Sequence, residues 1–246
     1  MRHDEAAGGE VYVALGDSMS IDEYAGGPGR GAASLLHRNR DDDFPEWAGR
    51  DLLSREPGTR MHLLAVDGAT SAHVASEQMR VLQAAGVRPT LATVTMGGND
   101  LLSSLGDVGL ARTGVAQALE TERRVLADLR ELMGPDAPVV IATVYDPSDG
   151  SDATALGLPG WEGIIEVLDE LNAGIRRLAT DEGVLLADVH ARFLGHGMDA
   201  GNPTQPLAQP PDRDLWYCNL IEPNAWGANA IRAACWEALW DRSPAE

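Results

Sequence analysis

The sequence contains no lysine, so all nineteen of its basic residues are arginines, and they face 38 acidic residues. The formal net charge is −19 at pH 7, and the isoelectric point is near 4.5. Nucleic acids and anionic membrane surfaces bind proteins that present clustered positive charge. The charge balance therefore argues against a nucleic-acid or membrane-surface partner and favours a small, neutral or carbohydrate-like substrate.

Long hydrophobic runs are also missing. Residues 1–10 are polar and lack the apolar core of a secretory signal, and no later run approaches the length of a membrane span. We therefore expect a cytoplasmic protein, with residues 1–10 flexible. The two cysteines, Cys218 and Cys235, are too few and too far apart for a disulfide framework or a zinc site. We expect reduced, partly buried thiols and neither a metal nor another cofactor.

One short apolar run is followed at once by residues that can carry chemistry. The run begins at Val11 and stops at Gly16-Asp17-Ser18. Open α/β sheets hold their active sites beyond the carboxyl ends of the strands. Ser18 is therefore a candidate nucleophile, and the alternative is that Asp17 and Ser18 only cap the next element.

Strand-like and helix-like segments alternate along the rest of the chain. Further strands are predicted at 61–66, 91–96, 138–145 and 184–189, and helices at 44–55, from Thr70 or Ser71 to about 85, at 114–133, from 164 to Gly183, and after Pro223. Segments 21–40 and 194–214 are predicted to be loops. The alternation predicts one α/β/α domain over 1–246, with a five-stranded, mainly parallel sheet.

Two further strand ends carry residues suited to stabilising an oxyanion. Gly68 follows the second strand, and a glycine lets its backbone N–H approach a ligand closely. Asn99 follows the third strand and offers a neutral amide donor. After the fourth strand, Asp146 and Asp149 flank Pro147-Ser148; the two carboxylates could bind a metal or act as acid and base, and turn chemistry explains this stretch just as well.

These blocks resemble the SGNH hydrolases, also called the GDSL esterase/lipase family. The resemblance is carried by GDS at 16–18, Gly68, GGND at 97–100 and, imperfectly, EPN at 222–224, in the family's order. It implies an SGNH or flavodoxin-like sheet and an esterase that forms an acyl-Ser18 intermediate on a carboxylic ester. It also implies oxyanion or substrate-binding roles for Gly68, Asn99 and Asp17.

The family's catalytic histidine is missing from its usual place. Where the family has Asp-x-x-His before Pro-Asn, this sequence has Asn219 and Glu222. One hypothesis makes Glu222 the base, with its pKa raised by an apolar surround such as Trp216, Ile221 and Trp226. A second brings in a histidine from elsewhere.

The histidines considered for that role are His196, His190 and His73. A third hypothesis keeps the pocket as a binding site for an ester, sugar or acyl group without hydrolysis. Trp161, Trp216 and Trp226 could stack on a sugar, line an acyl pocket or simply be buried.

Overall fold

Five short strands form the centre of the protein, and the computed structural model describes residues 9–104, 106–151, 161–206 and 213–241. The strands are β1 Val11–Leu15, β2 Arg60–Leu63, β3 Leu91–Val94, β4 Val139–Ala142 and β5 Leu185–Ala187. They form one sheet in the order β2-β1-β3-β4-β5, and every neighbouring pair is parallel. The predicted five-stranded parallel sheet is confirmed.

Helices cover both faces of the sheet. They are α1 Ala32–His37, α2 Leu52–Arg55, α3 Ser71–His73, α4 Met79–Ala84, α5 Gly98–Leu102, α6 Val108–Met133, α7 Ile164–Glu182, α8 Val189–Phe193 and α9 Ala225–Trp240. A π-helical segment, Val74–Gln78, joins α3 to α4, and β6 Tyr217–Cys218 pairs antiparallel with β7 Glu222–Pro223. Val13 packs toward the layer of α6 and α7, and Tyr12 and Ala14 pack toward α1 and α9, as strand alternation requires. This is an α/β/α sandwich.

Several predicted boundaries were wrong for local reasons. The helix predicted at 44–55 is a 3₁₀ turn, Pro45–Trp47, followed by α2, because Gly49 takes a φ of 78° between them. Segment 21–40 is not wholly irregular, since it contains α1 with its buried leucines. The fifth strand ends before Asp188, whose carboxylate caps α8 instead.

Other expectations had mixed outcomes. Pro223 lies in β7, and Asn224 rather than Pro223 begins the last helix as its cap. Both cysteines are free thiols, and both are buried. Residues 1–8, most of the segment expected to be flexible, lie outside the described residues. Residues 207–212, part of the loop predicted at 194–214, also lie outside them. No helix in the described ranges is both long and apolar enough to cross a bilayer.

Candidate active site

The turn after β1 is held by three hydrogen bonds to Gly16. Gly16 has a φ of 132°, and a side chain there would collide with the Thr95 carbonyl, so only glycine fits. Gln78, buried in the π-helical segment, accepts from the Gly16 N–H at 2.8 Å and donates to the Gly16 carbonyl at 2.7 Å. Val66 also donates to that carbonyl, at 3.1 Å. The turn therefore presents Ser18 from a fixed backbone.

Asp17 is buried beside the candidate nucleophile. Its Oδ1 accepts from the Met19 N–H at 3.1 Å and from the Thr95 hydroxyl at 2.9 Å. Burial raises the pKa of Asp17 to about 7, against the lowering effect of those two bonds, and the negative charge of Glu222 raises it further. Asp17 is thus a structural acceptor that also lines the cavity beside Ser18.

Glu222 lies against Ser18. The pKa of Glu222 is raised to about 7, chiefly by burial, and the nearby Ser18 hydroxyl partly opposes this rise. The carboxylates of Asp67 and Glu23 raise it further by repulsion. One carboxyl oxygen, Oε2, is buried and has no hydrogen-bond partner among the described residues. An acid group with this pKa is half ionised near neutral pH.

The surroundings of Glu222 differ from those predicted. Glu222 pairs with Cys218 across the β6–β7 ladder, and its charge helps to raise the pKa of both Cys218 and Tyr145, after burial. Ile221 lines the adjacent cavity, as expected of an apolar neighbour. Trp216 and Trp226 are engaged elsewhere, with Trp216 against Phe193 and His196, and Trp226 against Phe44.

Asn224 joins the segments on either side of Glu222. It is fully buried, and its Oδ1 accepts from the N–H groups of Trp226 and Gly227 at the start of α9. Its Nδ2 donates to the carbonyls of Leu215 and Tyr217 at 2.6 and 3.2 Å. A single side chain thereby ties β6 to α9 on either side of β7, the strand that carries Glu222.

Hydrogen bonds join the two segments that carry the candidate oxyanion donors, Gly68 and Asn99. Asn99, in the first turn of α5, donates from Nδ2 to the Ala69 carbonyl at 3.1 Å, and its second amide hydrogen has no acceptor among the described residues. Asp100 accepts from the Ser71 N–H at 2.8 Å and from its hydroxyl at 2.6 Å. Gly68 is exposed, has a φ of 68°, and its N–H makes no hydrogen bond within the described ranges. Both donors therefore lie at the sheet edge that carries Ser18.

A cavity of about 100 Å³ opens beside Ser18 and Asn99. Its walls come from α5, from the segment after β4 and from the first two turns of α7. They include Leu101, Leu102, Trp161, Ile164, Ile165 and Leu168. Of the three tryptophans singled out from the sequence, Trp161 is the one that lines this cavity.

The three candidate histidines lie away from the cavity lining. His196 stacks on Trp216 with ring centroids 3.5 Å apart, and its Nδ1 is 2.8 Å from the Asp214 carbonyl. His190 has its Nε2 3.9 Å from an Asp169 carboxylate oxygen. His73 lies in α3, where its N–H donates to the Thr70 hydroxyl at 3.4 Å. The contacts found for these three histidines are made with other residues, whereas Glu222 is near enough to Ser18 for the hydroxyl to affect its pKa.

The carboxylates after β4 are occupied by turn contacts. Asp146 accepts from the N–H and hydroxyl of Ser148 and from the Gly150 N–H, at 2.6 to 2.8 Å. Asp149 accepts from the N–H groups of Gly195, Gly197 and Asp199 at 2.8 to 2.9 Å. Within the described ranges, no group of three or more His, Cys, Asp or Glu side chains has the arrangement of a metal site.

Three supporting contacts of the site were not predicted from the sequence. They are made by Gln78, by Thr95 and by the Ser71–Asp100 pair. Thr95 was predicted only as part of a strand, and Gln78 only as part of a helix. Each acts across 29 to 78 residues of chain. The order of the strand-end polar residues could have indicated Asp100, since it directly follows Asn99.

Comparison with known proteins identifies the same family that the sequence motifs resemble. The sequence profile of the GDSL-like Lipase/Acylhydrolase family matches residues 14–229. A lipase from Streptomyces rimosus is 27% identical over 209 residues, which cover 78% of this chain and 74% of that protein.

Solved structures share the fold. A variant of an acetyl xylan esterase from Geobacillus stearothermophilus superimposes with a TM-score of 0.65 at 14% identity, covering 97% of this chain and 98% of its own. A phospholipase A1 from Streptomyces albidoflavus NA297 gives a TM-score of 0.58 at 22% identity, covering 94% of this chain and 99% of its own. At these identities the likeness concerns the fold alone.

Proposed function

We propose that this chain, which belongs to the GDSL-like lipase/acylhydrolase family of ester-cleaving enzymes, hydrolyses carboxylic esters through an acyl-Ser18 intermediate with Glu222 as the general base. The observation that supports this most directly is the position of Glu222. The carboxyl group lies near enough to the Ser18 hydroxyl for that hydroxyl to lower its pKa, while burial keeps the pKa raised at about 7. A base with a pKa near the working pH combines a useful ionised fraction with real proton affinity.

The proposed reaction has two stages, acylation of Ser18 and hydrolysis of the acyl-enzyme, and each stage has two proton transfers. The Glu222 carboxylate takes the Ser18 proton as Oγ attacks the ester carbonyl carbon, and the carbonyl oxygen becomes an oxyanion. The Gly68 N–H and the free amide hydrogen of Asn99 stabilise that oxyanion. Protonated Glu222 then donates its proton to the departing alcohol oxygen, which leaves the acyl group on Ser18.

A water molecule completes the cycle in the same way. Glu222 takes a proton from the water as its oxygen attacks the acyl carbon. The tetrahedral intermediate collapses, Glu222 returns a proton to Ser18, and the carboxylic acid leaves. Each proton accepted by Glu222 is given back, so the enzyme ends in its starting state.

The raised pKa of Glu222 is what makes a carboxylate competent here. An ordinary glutamate, with a pKa near 4.3, is a weak acceptor for a serine proton. Burial against Tyr145 and Cys218 and repulsion from Asp67 disfavour the ionised form and so strengthen the base.

The first test separates an activated serine from an inert one. A fluorophosphonate probe should label the wild type stoichiometrically and should not label Ser18→Ala. Labelling should increase with pH through a pKa near 7, because the reactive form requires ionised Glu222. Equal labelling of both proteins would show that another residue is the nucleophile.

The second test identifies the base. Glu222→Gln keeps the shape but removes the acid group, so it should reduce ester turnover by at least the ~10² typical of general-base loss. Glu131→Gln, an exposed glutamate on α6, is the matched control and should retain wild-type turnover. If Glu222→Gln remains active while His196→Ala or His73→Ala is inactive, a histidine is the base.

A binding protein without turnover is the second candidate. It is favoured by the departure from the family pattern, because Asn219 and Glu222 stand where that pattern has Asp and the catalytic His. Under this alternative no fluorophosphonate labelling occurs at any pH between 5 and 9. A neutral ester would still bind beside Ser18, which calorimetry would detect.

A further inference from the structure

The cavity beside Ser18 has a wall that is almost wholly apolar. Leu101 and Leu102 come from α5, and Ile164, Ile165 and Leu168 come from α7. These side chains belong to or pack against the main hydrophobic core on that face of the sheet. The site is therefore an extension of the core that reaches the nucleophile.

The polar groups in this wall are mostly engaged with one another. Asp146 already accepts three hydrogen bonds, and the Ser148 hydroxyl bonds to Asp146 and to the Ser151 carbonyl. The indole N–H of Trp161, which has no acceptor within the described ranges, is a single donor and could serve only one hydroxyl of a bound sugar. A sugar ring carries a hydroxyl on nearly every carbon, and burying such hydroxyls without partners is costly.

The size of the cavity exceeds what an acetyl group would fill. A single water-sized group occupies roughly 10 to 15 Å³ on the same measure of volume, whereas this cavity measures about 100 Å³. An acetyl methyl would leave most of the space unoccupied. A chain of several methylene groups would fill it and exchange water for apolar contacts.

We propose that this cavity is the acyl-binding site of the enzyme and that it selects straight-chain acyl groups of about four to eight carbons over acetyl. The proposal rests on the hydrolysis proposed above and names the substrate class for it. Ser18 and Asn99 at the edge of the cavity hold the ester carbonyl, and the apolar wall holds the chain. With the acyl chain in the cavity, we expect the alcohol to lie outside it, where the charges of Asp67 and Glu23 act on Glu222.

The direct test is a chain-length series of p-nitrophenyl esters from acetate to octanoate. Burial of each methylene group should raise kcat/KM roughly fourfold, so kcat/KM should rise by up to ~10² from acetate to hexanoate. The activity must be lost in Ser18→Ala. If acetate is the best substrate and its hydrolysis depends on Ser18, the acyl-site inference is wrong while the proposed hydrolysis stands.

A cavity-filling variant ties the preference to this wall. Ile165→Trp places a large ring in the cavity and should lower the ratio of hexanoate to acetate kcat/KM at least tenfold. Leu110→Trp is the matched control, because Leu110 is an exposed apolar residue on α6, 56% accessible. Leu110→Trp should keep the wild-type ratio. An unchanged ratio in both variants would overturn the inference.

A binding measurement keeps the inference testable if no ester is cleaved. Hexanamide and acetamide are neutral and keep the carbonyl group, so calorimetry on Ser18→Ala reports on the cavity alone. Hexanamide should bind at least tenfold more tightly than acetamide, and Ile165→Trp in the same background should remove the difference. Absence of ester cleavage together with this preference would remove the proposed hydrolysis but retain the acyl site. Equal affinities would overturn the acyl site.

Discussion

Replacing Glu122 with glutamine should stabilise the protein, and increasingly so as the pH rises. Glu122 lies in the middle of α6, is 2% exposed, and its Oε1 has no hydrogen-bond partner among the described residues. Burial, followed by the negative charge of Asp100, raises its pKa from 4.5 to about 8. The folded protein therefore favours the protonated, uncharged acid.

The sign and size of the effect follow from proton linkage. Between pH 4.5 and 8 the unfolded chain loses the Glu122 proton while the folded protein keeps it, so rising pH lowers the free energy of unfolding. At 1.36 kcal/mol per pKa unit, the buried acid lowers the free energy of unfolding by under about 1 kcal/mol at pH 5 and by about 4 kcal/mol at pH 8. Glu122→Gln removes the titration and hence this difference of about 3 kcal/mol.

Urea unfolding at pH 5 and pH 8, followed by tryptophan fluorescence, measures the difference directly. Any fixed cost of placing an amide at this position cancels when the two pH values are compared. Asp17 and Glu222 also titrate in this range, but they do so in both proteins. Glu131→Gln, exposed on the same helix, should differ from wild type by less than about 0.5 kcal/mol at both pH values. If Glu122→Gln shifts stability equally at pH 5 and pH 8, Glu122 is not buried as an uncharged acid.

Three further predictions concern the active site. Asn99→Ala removes one oxyanion donor and should lower kcat by about 10²–10³ in steady-state assays, with a smaller change in KM. Gly68→Ala keeps the N–H and meets no atom within 4 Å, but its φ of 68° disfavours a side chain by about 1–2 kcal/mol. Activity should therefore fall less than in Asn99→Ala, and an equal or larger loss would show that the Gly68 backbone does more than donate. The carboxylates of Asp67 and Glu23 should repel an ester whose alcohol is anionic and attract a choline ester. Raising salt from about 10 mM to about 1 M shortens the screening length from about 30 to 3 Å, so the kcat/KM values of the two substrates should converge, and parallel responses would contradict this.

The polar residues at the strand ends could be predicted because their placement follows from topology. Ser18, Gly68 and Asn99 each follow a strand, and parallel strands end at one edge of the sheet. That rule needs no knowledge of side-chain packing. The position of Glu222 near Ser18 was predicted from the family pattern and not from this rule. Strands β6 and β7 have only two residues each and give almost no signal in the sequence.

The cavity and the support for the nucleophile turn could not be predicted in this way. The cavity forms where α5, the segment after β4 and α7 meet, so its volume depends on how distant elements pack. Gln78 acts on Gly16 across 62 residues from a π-helical segment, which no simple periodicity indicates. Glu122 is an intermediate case. Its spacing from Ala118 and Leu126 places it on the buried stripe of α6, but only the surrounding structure shows that it is fully desolvated.

The two departures from the family pattern at Asn219 and Glu222 are consistent with a single change of chemistry. A histidine base becomes a cation when it accepts a proton, and a neighbouring carboxylate stabilises that cation. A glutamate base is an anion that becomes neutral when it accepts a proton, so no cation forms for a neighbouring carboxylate to stabilise. With Glu222 as the base, position 219 no longer needs an acid.

The conformation of position 219 agrees with this argument. Asn219 is exposed at the turn between β6 and β7, with a φ of 49°, and the next residue, Leu220, has a φ of 81°. Asparagine is among the few residues that adopt such a backbone readily. The turn is held by backbone bonds, from the Asn219 N–H to the Gln205 carbonyl at 2.7 Å and from the Leu220 N–H to the Pro203 carbonyl at 2.9 Å. Asn219 therefore meets the requirements of the turn, and the proton affinity of Glu222 comes instead from its burial beside Ser18, Tyr145 and Cys218.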